Sequence, residues 1–258
     1  MQLAQQTVLE EGMKQLRLTQ FLKEYQSMAR QGREQKISYE EYLLSLSEIE
    51  LEIRKKKQLE RKIKEAKFPQ LKTIEESDLK KCPIISKEKF NSYQQCEYIK
   101  KKENIIFLGK HGTGKSHISI MLGIEACRKG YKVLFFTAAT LVNSLLEKRE
   151  EKQVNSFFSK LRKYDLLILD EMGYLPFSQE GAQLLFQVFS DRYESGSMII
   201  TSNLLFKEWN QIFNDQNLTA ALLDRLTHRC DIYQFTWDSL RLQESKNRIR
   251  KMNSEILE

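Results

Sequence analysis

One octapeptide limits what this chain can fold into more than any other feature. Gly109-Lys110-His111-Gly112-Thr113-Gly114-Lys115-Ser116 satisfies GxxxxGK[ST], follows the apolar run Ile105-Ile106-Phe107-Leu108, and opens a helical stretch over 118–128. Strand, glycine loop and helix in that order form a phosphate cradle. The glycines let backbone N–H groups turn inward, and the helix N-terminus adds the positive end of its dipole. Lys115 is then expected to reach the β- and γ-phosphates of a nucleotide, and the Ser116 hydroxyl to enter a Mg²⁺ shell. Gly109, Gly112, Thr113, Gly114 and His117 complete the expected nucleotide-contacting set.

The surrounding grammar agrees. Val133-Leu134-Phe135-Phe136, Leu166-Leu167-Ile168-Leu169 and Met198-Ile199-Ile200-Thr201 read as buried strands, and Ile232-Tyr233-Gln234-Phe235 as a fifth. Amphipathic stretches separate the first four. Alternation of this kind predicts an α/β fold, a five-stranded parallel sheet between helices.

Polar residues at strand ends are the candidates for chemistry, because parallel sheets collect ligands at their C-terminal edge. The third run ends Leu169-Asp170-Glu171. Asp170 is expected to hold the Mg²⁺ shell, and Glu171 to orient and deprotonate the attacking water. Such a pair can also cap a helix, and it is the preceding phosphate loop that favours the catalytic reading. The fourth run ends Thr201-Ser202-Asn203, which puts Asn203 where it could sense the γ-phosphate, or simply form a turn. Arg225, in Leu222-Leu223-Asp224-Arg225-Leu226, either pairs with a local acid such as Asp224 or reaches a neighbouring subunit's nucleotide as an arginine finger. Arg241, in Ser239-Leu240-Arg241-Leu242, is placed to touch the nucleotide of its own subunit.

Before the sheet the text is different. Residues 1–75 contain two glycines and one proline, with Leu16, Leu18, Phe21, Leu22, Tyr25 and Met28 at helical spacing, as are Tyr39, Tyr42, Leu43, Leu46, Ile49 and Ile53. We read a small helical domain whose stripes form its core, with a second helix starting after Ser38 and a third, basic one stopping near Pro69. Residues 76–103 read as a connector and 104–258 as the nucleotide-binding domain.

Charge is concentrated in that third helix. The chain carries 42 basic and 35 acidic residues, and 54–72 alone holds nine basic against two acidic, a local excess equal to the whole net charge of +7. Arg54, Lys55, Lys56, Lys57, Arg61 and Lys64 are therefore candidates for phosphate contacts on duplex DNA, though such a run also suits a solvated helix face. The four cysteines (Cys82, Cys96, Cys127, Cys230) lack CxxC spacing, which disfavours zinc or a disulfide framework. No apolar run reaches transmembrane length, and the expected location is the cytoplasm.

The ordered set GKHGTGKS, LLILDE, TSN, LLDRL and SLRL resembles the AAA+ ATPases of the DnaA and DnaC initiator and helicase-loader branch. More narrowly, Asp170-Glu171-Met172-Gly173-Tyr174-Leu175-Pro176, with Leu185-Phe186-Gln187-Val188, Arg192-Tyr193-Glu194 and Glu208-Trp209, is similar to IstB, the ATP-dependent helper of a two-gene insertion sequence. The resemblance implies a helical amino-terminal domain before an AAA+ domain, ATP and Mg²⁺ as cofactors, and ATP-driven self-assembly on double-stranded DNA with the arginine finger acting in trans. It also implies recruitment and stimulation of a partner transposase. A DnaC-like loader that binds a replicative helicase shares the ATPase motifs and is the competing expectation. Lys110-His111 stand where the family's loop usually has Pro-Pro.

Overall fold

The computed structural model describes residues 2–69, 84–174, 176–237 and 239. The chain divides into two compact units, Met1–Arg61 and Lys62–Glu258.

The first unit is helical. The helices α1 (Gln2–Gln15), α2 (Thr19–Gln35) and α3 (Tyr39–Ala66) follow one another through short turns. Arg17 adopts φ +56 in the turn between α1 and α2, so Leu16 and Leu18 lie outside the helix that carries Phe21, Leu22, Tyr25 and Met28. A reciprocal cap starts α3: the Glu41 amide donates to Ser38 Oγ (3.1 Å), and the Ser38 amide donates to the Glu41 carboxylate (3.0 Å). The expected second and third helices are one, since no glycine or proline interrupts 39–66. Only part of the stripe forms a core. Leu46 is buried, whereas Tyr39 is 87% exposed, Leu16 70% and Leu43 54%.

What holds this unit is largely polar. The buried Glu50 carboxylate accepts from the Gln20 amide at 2.6 Å and so caps the N-terminus of α2. Arg54 Nε donates to the same carboxylate at 2.7 Å, and its Nη2 donates to the Arg17 carbonyl at 2.5 Å. Burial pushes the Glu50 carboxyl up, but the Gln20 amide and the Arg54 guanidinium outweigh it and hold the group below its ordinary value.

The second unit is the predicted α/β fold. Its strands are β1 (Asn104–Gly109), β2 (Val133–Thr137), β3 (Leu166–Met172), β4 (Ser197–Ser202) and β5 (Cys230–Phe235). They form one sheet in the order β2-β3-β4-β1-β5, and every pair is parallel. Side chains alternate between its faces. Leu167 and Leu169 of β3 join Leu134, Met198 and Ile200 in a core closed by α7 (Ala138–Glu150), α8 (Val154–Leu161), α9 (Gln179–Arg192) and α11 (Gln216–Thr227). The short α10 (Asn210–Phe213) adds Ile212 and Phe213 to the same core. Ile168 points the other way, against Gly123 of α6 (Lys115–Arg128), where a Cβ would meet it at 2.7 Å.

The stretch read as a connector is ordered structure from residue 84. It forms α4 (Lys87–Gln94) and α5 (Glu97–Lys100) and belongs to the sheet unit. Tyr93 of α4 donates to Asp231 at 2.7 Å and bonds the Tyr233 hydroxyl at 2.8 Å, while Lys89 pairs with Asp231 at 2.7 Å. These bonds fasten the connector helices to the edge strand β5. Its lack of periodicity reflects short helices, four and eight residues long, that bury only a few rings. Burial pushes the Cys96 thiol up to about 11 and those of Cys127 and Cys230 to about 12, so all three stay protonated, and among the described residues no group of three or more His, Cys, Asp or Glu is placed to hold a metal ion. No described helix is long and apolar enough to cross a membrane.

Candidate nucleotide site

The C-terminal edge of the sheet gathers the functional side chains. The loop after β1 is built on left-handed backbone, with φ +142 at Gly109, +76 at Gly112 and +100 at Gly114. Two of these glycines also have no room for a side chain. A Cβ at Gly109 would lie 2.3 Å from the Phe235 carbonyl oxygen, and one at Gly112 would lie 2.1 Å from Ser239 Oγ. Lys115 is buried, and its ammonium donates to the Gly109 and Lys110 carbonyls at 2.6 and 2.7 Å. Thr113, fully buried, donates to the Lys110 carbonyl at 2.9 Å. The charge is thereby held at the mouth of α6, where dipole and amides also favour an anion.

The acidic pair is displayed by a bulge. Leu169 registers with Ile200 but Met172 with Ser202, so β3 gains one residue on β4 at Asp170-Glu171. Glu171 takes φ +60, which lets its exposed side chain leave the strand while Asp170 stays buried. Asp170 Oδ1 accepts from Ser116 Oγ at 2.8 Å and from Thr201 Oγ1 at 2.5 Å. The amide of Glu171, freed by the bulge, donates to Thr201 Oγ1 at 3.0 Å. Thr201 therefore ties the Asp170 carboxylate to the Glu171 backbone, a role that sequence reasoning missed. Its only signal is a hydroxyl ending an apolar strand.

Hydroxyl and carboxylate at Ser116 and Asp170 are hard oxygen donors already in contact, a donor set that suits Mg²⁺. Asn203 lies just beyond β4, beside Gly173, and its Oδ1 is buried without a hydrogen-bond partner among the described residues. A buried amide left unsatisfied at this edge calls for a polar ligand or water. His117 is half-buried on α6, and His111 is exposed in the loop, edge-on to Tyr174 at 6.2 Å.

Other predicted residues fall elsewhere. The half-buried Arg225 does not pair with Asp224. Its guanidinium lies 4.9 Å from the centre of the Phe186 ring, and its Nη1 donates to the Ala221 carbonyl one turn back. Arg241 lies outside the described residues. Among the basic candidates, Arg54, Lys55, Lys56, Lys57, Arg61 and Lys64 are all exposed, and the Arg54 guanidinium is also engaged with Glu50 and Arg17. Arg192, part of the motif quoted above, is structural. It is 3% exposed and donates to four carbonyls, those of Leu161, Tyr164, Asp165 and Ser197, at 2.9–3.2 Å. Burial pushes its guanidinium down to about 10.

A parallel sheet in this order, with a phosphate loop after β1 and a bulged acidic pair ending β3, defines a P-loop ATP-binding domain of the AAA+ class. Within that class the chain belongs to the family of IstB-like ATP-binding proteins, whose sequence profile matches residues 11–248. It is 36% identical over 240 residues to the insertion sequence IS5376 ATP-binding protein of Geobacillus stearothermophilus, covering 93% of this chain and 96% of that one. It is 34% identical over 221 residues to the IS21 ATP-binding protein of Pseudomonas aeruginosa, covering 86% and 83%. Among solved structures, DnaI superimposes with a TM-score of 0.51 at 17% identity, over 68% of this chain and 94% of that one, a likeness of fold.

Proposed function

We propose that this chain is an ATPase that assembles on duplex DNA in response to ATP and assists a transposase. The observation that carries the reading is the Ser116–Asp170–Thr201–Glu171 network, which fixes the Asp170 carboxylate and the Glu171 backbone beside the phosphate loop. A protein that only bound nucleotide would have no need of the second, exposed acid.

Lys115 would exchange its loop carbonyls for the β- and γ-phosphate oxygens. Ser116 and Asp170 would hold Mg²⁺, which when bound supplies positive charge to the phosphate oxygens. Glu171 would accept a proton from water as the water oxygen attacks the γ-phosphorus. The bond from that phosphorus to the β,γ-bridging oxygen then breaks, leaving ADP and phosphate. Asn203 would orient the water or the γ-phosphate. Arg225 would leave Phe186 and complete the site of an adjacent protomer, so that ATP joins subunits.

The names of the relatives, ATP-binding proteins of insertion sequences, support transposition over helicase loading. Lys55, Lys56, Lys57, Arg61 and Lys64 would supply phosphate contacts to DNA. A second lysine-rich face lies in the sheet unit, around a cavity of about 530 Å³ lined by Lys62, Lys132, Ser156, Lys160 and Lys163. The test is sedimentation of the protein with duplex DNA and ATP or ADP. Large assemblies are expected with ATP alone; identical monomers under both conditions would reject the reading.

A further inference from the structure

Trp237 stands two residues beyond β5, and nothing in the sequence marks it as part of the phosphate loop. Its indole Nε1–H donates to the Thr113 carbonyl at 3.1 Å. The ring packs 4.7 Å from Phe235, which is edge-on to Phe107 of β1 at 5.5 Å. A line of aromatic contacts thus runs from β1 through β5 to the loop. Ser239, two residues on, touches the same loop at Gly112.

The peptide that Trp237 grips ends on a glycine. Its plane turns about ψ of Thr113 and φ of Gly114, and Gly114, at φ +100, resists that rotation only weakly. In a trans peptide the C=O and N–H point in opposite directions. Holding the Thr113 carbonyl outward therefore fixes the Gly114 N–H on the other side of the plane. Two other carbonyls of the turn are restrained from within: those of Gly109 and Lys110 accept from Lys115 Nζ, and that of Lys110 also accepts from Thr113 Oγ1. Bonds made by the Lys115 ammonium are surrendered when that ammonium turns to a phosphate. The Trp237 bond is independent of it.

We propose that Trp237 is a positioning residue for nucleotide diphosphates, one that locks the Thr113–Gly114 peptide so that the Gly114 N–H faces the phosphate. It acts through the loop and does not itself touch the ligand. The proposal rests on the nucleotide-binding reading and deepens it, because it ties the phosphate cradle to the segment that leaves β5.

The test is calorimetric ADP binding to wild type, Trp237→Phe and Trp237→His, with the melting temperature of each nucleotide-free protein. Phenylalanine keeps a ring and removes the donor; histidine restores an N–H. Loss of one hydrogen bond to a preorganised loop is expected to weaken ADP binding about tenfold in Trp237→Phe, with the melting temperature unchanged and part of the affinity regained in Trp237→His. Wild-type affinity in Trp237→Phe overturns the proposal. So does a loss matched by a fall in melting temperature and not relieved by histidine, since the ring would then be only a structural prop. A wild-type protein that ignores ADP would remove the nucleotide reading and this role together; binding by wild type with unchanged Trp237→Phe removes this role alone.

Discussion

The two units use their charged groups in opposite ways. In the sheet unit, residues from separate strand ends and one helix meet within hydrogen-bond distance: Ser116, Asp170, Glu171 and Thr201 form a single connected set. In the helical unit the buried charge, Glu50 with Arg54, serves only to cap α2 and hold the turn before it, and Lys55, Lys56 and Lys57 face water. The difference teaches where function resides. A site needs polar groups held in place by a core beneath them, and the sheet supplies that core with residues such as Leu167 and Leu169, each fully buried. Each such side chain contributes about 1.5–3 kcal/mol. The helices instead expose Tyr39, Leu43 and Leu44, so their surface suits contacts made along their length.

Substitutions can break this contrast, and the largest effect belongs to the loop. Lys115→Ala should abolish ATP and ADP binding in calorimetry while the fold persists; normal affinity would show that the cradle does not depend on its buried ammonium. Glu171→Gln comes next. Phosphate release should fall by about 10²–10⁴-fold, the usual span of a general base, with ATP affinity retained. Unchanged turnover would strip Glu171 of its role.

Arg192→Ala tests whether the sheet unit's framework is as polar in its depths as at its edge. Four carbonyls would lose their donor, and stability in denaturant should drop by about 3 kcal/mol with Lys115-dependent binding intact at low temperature. A shift under half that size would mean water replaces the guanidinium freely.

Glu50→Gln should cost the helical unit about 1 kcal/mol, read as faster hydrogen exchange of the first amides of α2. The sign with pH follows from the lowered folded value of this carboxyl. Its contribution is fully present above the unfolded value and is lost as the pH falls through the folded one, so acidification should loosen α2 in the wild type but not in the variant. Equal acid sensitivity of the two proteins would assign the effect elsewhere.

The smallest effect per residue is expected on the exposed lysines. Neutralising Lys55, Lys56, Lys57 and Lys64 together should reduce the salt slope of duplex binding by about 0.9 for each phosphate that the variant no longer neutralises. An unaltered slope would move the DNA path to the face bearing Lys132, Lys160 and Lys163.

Much of the sheet unit is legible in the sequence because its signals are local. All five strands stand out as short apolar runs, the loop's glycines, Lys115 and Ser116 form one continuous motif, and the two acids adjoin each other at the end of an apolar run. The helical unit departs from its sequence pattern in two places, for a local reason too. Nothing in the composition marks the left-handed turn at Arg17, and the apolar spacing continues through it. A helical period also says which residues share a face without saying whether anything covers that face, so Leu16 and Tyr39 carry the pattern of core residues and yet are exposed.

The amino-acid order by itself determined the class of this protein: an apolar strand, a glycine loop ending in Lys115-Ser116, and a second strand ending in two acids permit few arrangements, because backbone amides and a sheet edge are the means of holding a triphosphate. Only the tertiary structure decided that Thr201 joins Asp170 to the Glu171 backbone, that Glu50 is a cap held by Arg54, that Arg192 is a buried brace and that Trp237 grips the loop. Each of these joins residues far apart in sequence, and such pairings exist only once the chain has folded and set its registers.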